Sequence, residues 1–96
     1  MPQFKVSERA NNDLFNIGLY TQNKYGIKQR NNYLDNITEK FQTLANRPEQ
    51  GMQCFNIRNG YYSCLARKHK IFYKKYNYGI RIIRILHQTM DYHKHL

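Results

Sequence analysis

Apolar residues follow two different rhythms along this chain. In the first half they recur at spacings of three and four, and from about residue 54 onward at spacings of two or in unbroken runs. Gln3-Phe4-Lys5-Val6 alternates and predicts a short first strand. Ser7 stands where an N-cap belongs, with Glu8 in the first turn to suit the helix dipole. Ala10, Leu14, Ile17 and Thr21 then mark one face of an amphipathic helix over 7–24. Asn11, Asn12 and Asn16 lower its intrinsic propensity, so packing must hold it. Gly26 ends this helix, and Leu34, Ile37, Phe41 and Leu44 predict a second over 27–45, stopped by Arg47-Pro48. The short link at Tyr25-Gly26 makes the two an antiparallel helical hairpin.

After a loop over 49–52, residues 54–58 read as a short extended lead-in and Asn59-Gly60 as a turn. Strands follow over 61–67 and 69–76, and Asn77-Tyr78-Gly79 turns the chain into a last strand. That strand carries Ile80, Ile82, Ile83, Ile85 and Leu86, apolar on both faces, so it belongs inside a sheet with a neighbour on each side. Strict alternation puts Arg84 on the side of Ile82 and Leu86, where a charge must be paired, reach water or serve a ligand. The expected fold is α+β in the order β-α-α-β-β-β, a single domain over 1–96 with the helical hairpin packed on a mainly antiparallel sheet. The partner of the first strand stays open.

Composition narrows the picture. No run approaches the roughly 20 apolar residues of a membrane span, and no apolar leader precedes the first strand, which points to the cytosol. Cys54 and Cys64 lack metal or redox spacing and read as free thiols. Charge is lopsided: residues 1–50 hold seven Lys/Arg against five Asp/Glu, and residues 51–96 hold nine against Asp91 alone. Such a field attracts an anionic partner.

Catalytic signatures are weak. There is no Gly-rich phosphate loop, no HExxH and no GxSxG, and the basic half has no paired carboxylates. A triad of Ser63, a histidine and Asp91 exists in composition only, and His93 and His95 read as incidental members of an extended, solvated tail. No catalytic residue, metal or cofactor is expected. Two features remain. One is a basic, aromatic sheet: Arg58, Tyr61, Tyr62, Arg67, Lys68, His69, Lys70, Tyr73, Lys74, Lys75, Tyr76, Arg81 and Arg84. Interleaved cations and tyrosines suit single-stranded RNA, although tyrosine is also an ordinary strand residue and lysine protects sheet edges. The other is the cluster of Arg84, His87, Asp91 and Tyr92. Asp91 can neutralise Arg84, cap the tail or meet a target.

These residues resemble the ParE toxins of bacterial toxin–antitoxin pairs. The run Arg84-Ile85-Leu86-His87-Gln88-Thr89-Met90-Asp91, closing with His95-Leu96, is similar to the end of that family. So are Tyr20 to Gly26 with Gln29 to Leu34, Leu44 to Pro48 with Gly51, and Ile57 to Tyr61 followed by His69 to Tyr73. Tyr25 departs from the usual pattern, where tryptophan is common. The resemblance implies the fold reached above, inhibition of DNA gyrase by binding and trapping its cleaved-DNA complex, and neutralisation by an acidic ParD-like antitoxin. Operator DNA would be met only through the antitoxin complex, and no membrane is implied. It places the target-binding candidates at Arg84, His87, Met90, Asp91, Tyr92 and His93. The sister RelE branch cuts messenger RNA on the ribosome. Arg84, Arg67, Lys68, Lys70 and Tyr92 fall near that branch's functional positions, so an endoribonuclease is the alternative.

Overall fold

One hydroxyl marks the passage from the first strand into the first helix. In the computed structural model, which describes residues 2–55 and 57–96, Ser7 follows β1 (Gln3–Val6) and caps α1 (Glu8–Tyr25). Its Oγ accepts from the Ala10 N–H at 3.0 Å and donates to the Ile83 carbonyl at 2.8 Å. The cap contributes about 1 kcal/mol to the helix and also ties the helix start to the last strand. Gly26 then takes a φ of +95°, a conformation that an L side chain resists, and α2 (Ile27–Asn46) begins at once. A single turn of 3-10 helix over Pro48–Gln50 follows.

The remaining strands are β2 (Met52–Gln53), β3 (Tyr61–Ala66), β4 (His69–Tyr76) and β5 (Gly79–His87), and the sheet order is β1-β5-β4-β3-β2. As expected, β5 is interior: β1 joins it in parallel and β4 in antiparallel fashion. The pairing left open by the sequence closes the first strand onto the last. At their junction Gly79 adopts φ +143°, and a Cβ there would overlap the Gln3 carbonyl oxygen. The remaining pairings, β4 with β3 and β3 with β2, are antiparallel.

Three expectations are corrected. The extended lead-in is β2, earlier than the predicted 54–58. The chain instead turns back on Cys54, whose carbonyl receives the Ile57 and Arg58 N–H groups, both at 3.0 Å, Asn56 lying outside the described residues. Burial of Cys54 beside Phe72 draws the chain around there. Second, alternation along β5 breaks. Phe72 pairs with Arg84 but Tyr73 with Ile82, so Ile83 is a bulge. Ile80, Ile82 and Ile85 therefore join the helix-side core, whereas Leu86 packs on the opposite face with Phe72, the residue paired with Arg84. Arg84 shares a side with Leu86 and not with Ile82. Third, the C-terminal tail is not extended: Tyr92–Lys94 form a 3-10 turn.

The main core lies between the helical hairpin and the sheet. Ile37, Phe41 and Leu44 from α2, with Ala10 and Ile17 from α1, pack on Ile71, Tyr73, Ile80, Ile82 and Ile85. A second cluster sits on the other face, where Ile57, Tyr61, Tyr92 and Leu96 cover Cys54, Phe72 and Leu86. Among the described residues no helix is long and apolar enough to cross a membrane.

Candidate functional site

Beyond Ile82, β5 has outrun β1, and its backbone needs other partners. The start of α1 supplies them. Asp13 Oδ2 accepts from the Ile85 N–H at 2.9 Å, and the same carboxylate receives Arg84 Nε at 2.8 Å and Nη2 at 2.9 Å. Both side chains are nearly buried, at 12% and 13% exposure, so little water screens the pair. The bond to Asp13 raises the Arg84 guanidinium above its ordinary pKa and holds it charged. Arg84 Nη1 completes the arrangement by donating to the His95 carbonyl at 3.0 Å. Of the roles offered for Asp91, neutralising Arg84 is thus taken by Asp13. Asp91 caps the tail, accepting from the His93 N–H at 3.1 Å.

The tail is anchored at two further residues. Tyr92 lies against Phe72, with ring centroids 5.2 Å apart, and its hydroxyl accepts from Lys70 Nζ at 2.8 Å. Leu96 packs in the same cluster, and Arg58 Nη2 donates to its carbonyl at 2.9 Å. Between these anchors Met90, Asp91 and His93 are exposed. The six target-binding candidates therefore divide: Arg84 and Tyr92 hold the tail, Met90, Asp91 and His93 face solvent, and His87 turns to the helix side.

His87 meets His69 edge-on there, with centroids 5.2 Å apart. Tyr33 Oη accepts from the Lys68 N–H at 3.2 Å and bonds His69 Nδ1 at 2.7 Å. Burial, reinforced by His87, pushes the His69 pKa down to about 4, while Asp13 pulls the other way. His87 Nδ1 is engaged by Thr89, whose N–H donates to it at 3.2 Å. These groups line a cleft of about 630 Å³ between the hairpin and the end of the sheet, with Ile17, Tyr20, Lys24 and Tyr25 on its helical wall.

The predicted basic surface is not one patch. Lys75 pairs with Glu49 at 2.9 Å, and Arg67 and Lys68 sit exposed in the β3–β4 turn, Arg67 with φ +58°. Lys74 and Arg81 stand opposite each other on the face away from the helices, and Lys5 of β1 extends their line. Ser63 is buried, and Cys54 Sγ donates to its Oγ at 3.2 Å, which ends its candidacy as a nucleophile. Both cysteines are free. Sequence reading missed Asp13, though a signal was present: it lies three residues after Ala10 and four before Ile17, inside the buried stripe of α1. An acid there requires a partner.

Comparison with known proteins agrees with this architecture. The family described as ParE toxin of type II toxin-antitoxin system, parDE, matches residues 4–92. Toxin ParE1 of Caulobacter vibrioides is 34% identical over 98 aligned positions, spanning 100% of this chain and 99% of that protein. Toxin ParE1 of Mycobacterium tuberculosis is 32% identical over 95 positions, spanning 98% and 97%. A solved structure described as the chromosomal ParDE TA system from P. aeruginosa superposes with a TM-score of 0.78 at 19% identity, over 91% of this chain and 96% of that one, and shares the fold.

Proposed function

The chain belongs to the ParE toxin family of type II toxin–antitoxin systems, and on that premise we propose that it arrests DNA gyrase by binding, trapping the enzyme with cleaved DNA, without chemistry of its own. The observation that carries this reading is the engagement of Arg84. A ribonuclease of the RelE type would need that guanidinium free for a phosphate, yet it is held bidentately by Asp13 and capped by the His95 carbonyl. The Tyr92 hydroxyl is likewise occupied by Lys70. What the tail offers instead is an exposed ridge of Met90, Asp91 and His93, suited to docking on a large protein.

The antitoxin is an acidic protein that acts on the same molecule in the cytoplasm. Net charge of +10 supplies the attraction. Exposed apolar groups supply the contact: Tyr20 and Tyr25 line the cleft together with Lys24 and Lys68, and Phe15, Leu19 and Ile27 are also exposed on the hairpin. An acidic antitoxin segment with apolar anchors fits that cleft.

Gyrase supercoiling in the presence of purified toxin tests the proposal. Loss of supercoiling with accumulation of cleaved DNA is expected, relieved by the antitoxin. Undiminished supercoiling at large toxin excess overturns it, and transcripts cut within codons after brief induction would transfer the assignment to the ribonuclease.

A further inference from the structure

The sheet face turned away from the helices is covered at one end only. Tyr92 and Leu96 pack over Phe72 and Leu86. At the other end Lys5, Arg81 and Lys74 stand directly opposite one another on β1, β5 and β4, with Tyr61 next in line on β3. Like charges placed so weaken a sheet, and no carboxylate answers these. All six acidic residues lie outside the strands, and the two ion pairs among the described residues use Arg84 and Lys75. Two tyrosines flank the row. Tyr76 and Tyr78 stack with centroids 5.5 Å apart and planes 5° from parallel, Lys5 Nζ lies 4.4 Å from the Tyr78 centroid, and Lys74 Nζ lies 5.9 Å from that of Tyr76. Contacts of that kind contribute about 0.5–1 kcal/mol at exposed sites but leave the charges in place.

We propose that this bare end of the sheet binds single-stranded nucleic acid, Lys5, Arg81 and Lys74 meeting consecutive phosphates while bases lie against the flanking tyrosines. Adjacent strands are about 4.8 Å apart, so the three cations span roughly 10 Å before their stems flex, room for a short run of phosphates. An acidic peptide would satisfy the cations but leave the rings unused, and a duplex hides its bases. The site belongs to the toxin alone and does not depend on the gyrase assignment.

The test is fluorescence anisotropy of labelled oligo-dT and oligo-U with the full chain, without gyrase. Binding to either oligomer supports the proposal, and the preference identifies the sugar. Affinity should fall with salt at a log–log slope of about −2, from three phosphate contacts of about −0.7 each. The variant K5Q/K74Q/R81Q should lose at least tenfold in affinity and most of that slope, while its unliganded Tm stays level or rises because the repulsion is relieved. K5R/K74R, which keeps the charges, should retain binding, and the oligomer should raise the Tm of the parent chain but not of the glutamine variant. Unchanged affinity in the glutamine variant overturns the proposal. So does equal binding of duplex, or a poly-glutamate peptide competing as well as the oligomer at matched charge, which would assign the row to an acidic protein.

Discussion

Arg84 and Asp13 are 71 positions apart in the chain and share two hydrogen bonds of 2.8 and 2.9 Å. The pair joins β5 to α1 and, through the His95 carbonyl, fixes the tail as well. Removing one partner of a nearly buried pair strands the other, so Asp13→Ala and Arg84→Ala should each cost about 2–4 kcal/mol. Urea denaturation of both single variants and the double variant measures the coupling. The double variant should cost less than the sum of the singles by over ~1 kcal/mol; strict additivity would show that the pair is structurally idle. Arg84→Lys should recover little, because an ammonium cannot reproduce the bidentate fork.

Stability should depend on pH through His69. Its pKa is lowered from 6.5 to about 4 in the folded chain, chiefly by burial. Between those values the unfolded chain binds the proton and the folded one does not, so stability is full above about pH 6.5 and falls as pH drops towards 4. The loss is about 2–3 kcal/mol over that window. His69→Gln, which keeps an acceptor for Tyr33 but does not titrate, should flatten that part of the curve. Thermal melts from pH 4 to 7 would decide it, and parallel curves for parent and variant would refute the assignment.

Tyr73 fixes the loop between α2 and β2. Its hydroxyl donates to the Pro48 carbonyl at 2.6 Å and accepts from the Gly51 N–H at 3.1 Å, and burial pushes its pKa up to about 12. Tyr73→Phe leaves both backbone groups without their partner and should cost about 1–3 kcal/mol. Gly51→Ala would drive a methyl group onto the same hydroxyl and should be at least as damaging. A midpoint shift under a few degrees for both would refute this role.

The tail separates anchoring from contact. Tyr92→Ala removes packing on Phe72 and the bond from Lys70, and should lower the Tm as well as toxicity. Met90→Ala and His93→Ala touch exposed positions and should weaken gyrase inhibition several-fold while the Tm stays within about a degree, as surface changes usually do. Truncation after Leu86 should abolish toxicity, with far-UV circular dichroism to establish whether the domain still folds. If Met90→Ala and His93→Ala both inhibit like the parent, the contact surface lies elsewhere.

Local rules made much of this fold readable. Ser7, Gly26 and Pro48 punctuate the helices where capping chemistry places them, and β5 is interior because its apolar residues serve both faces. The features that escaped depend on contacts distant in sequence. The Ile83 bulge arises where β1 ends and α1 takes over the edge of β5, which no periodicity encodes. The tail reads as polar and solvated because Met90, Tyr92 and Leu96 are its few large apolar groups, yet the last two suffice to seat it on Phe72 and Leu86. The candidate residues stand at the end of β5 and along the tail, but Arg84 turned inward because Asp13, on a distant helix, was there to receive it.

The parallel pairing of Gln3 with Gly79 has a consequence for biosynthesis. During translation the opening strand leaves the ribosome first and has no edge to join until the closing one emerges. Loop-closure entropy makes so distant a pairing late and slow. Nascent chains halted before residue 79 should therefore remain protease-sensitive at their amino end, and harmless to the cell that is making them.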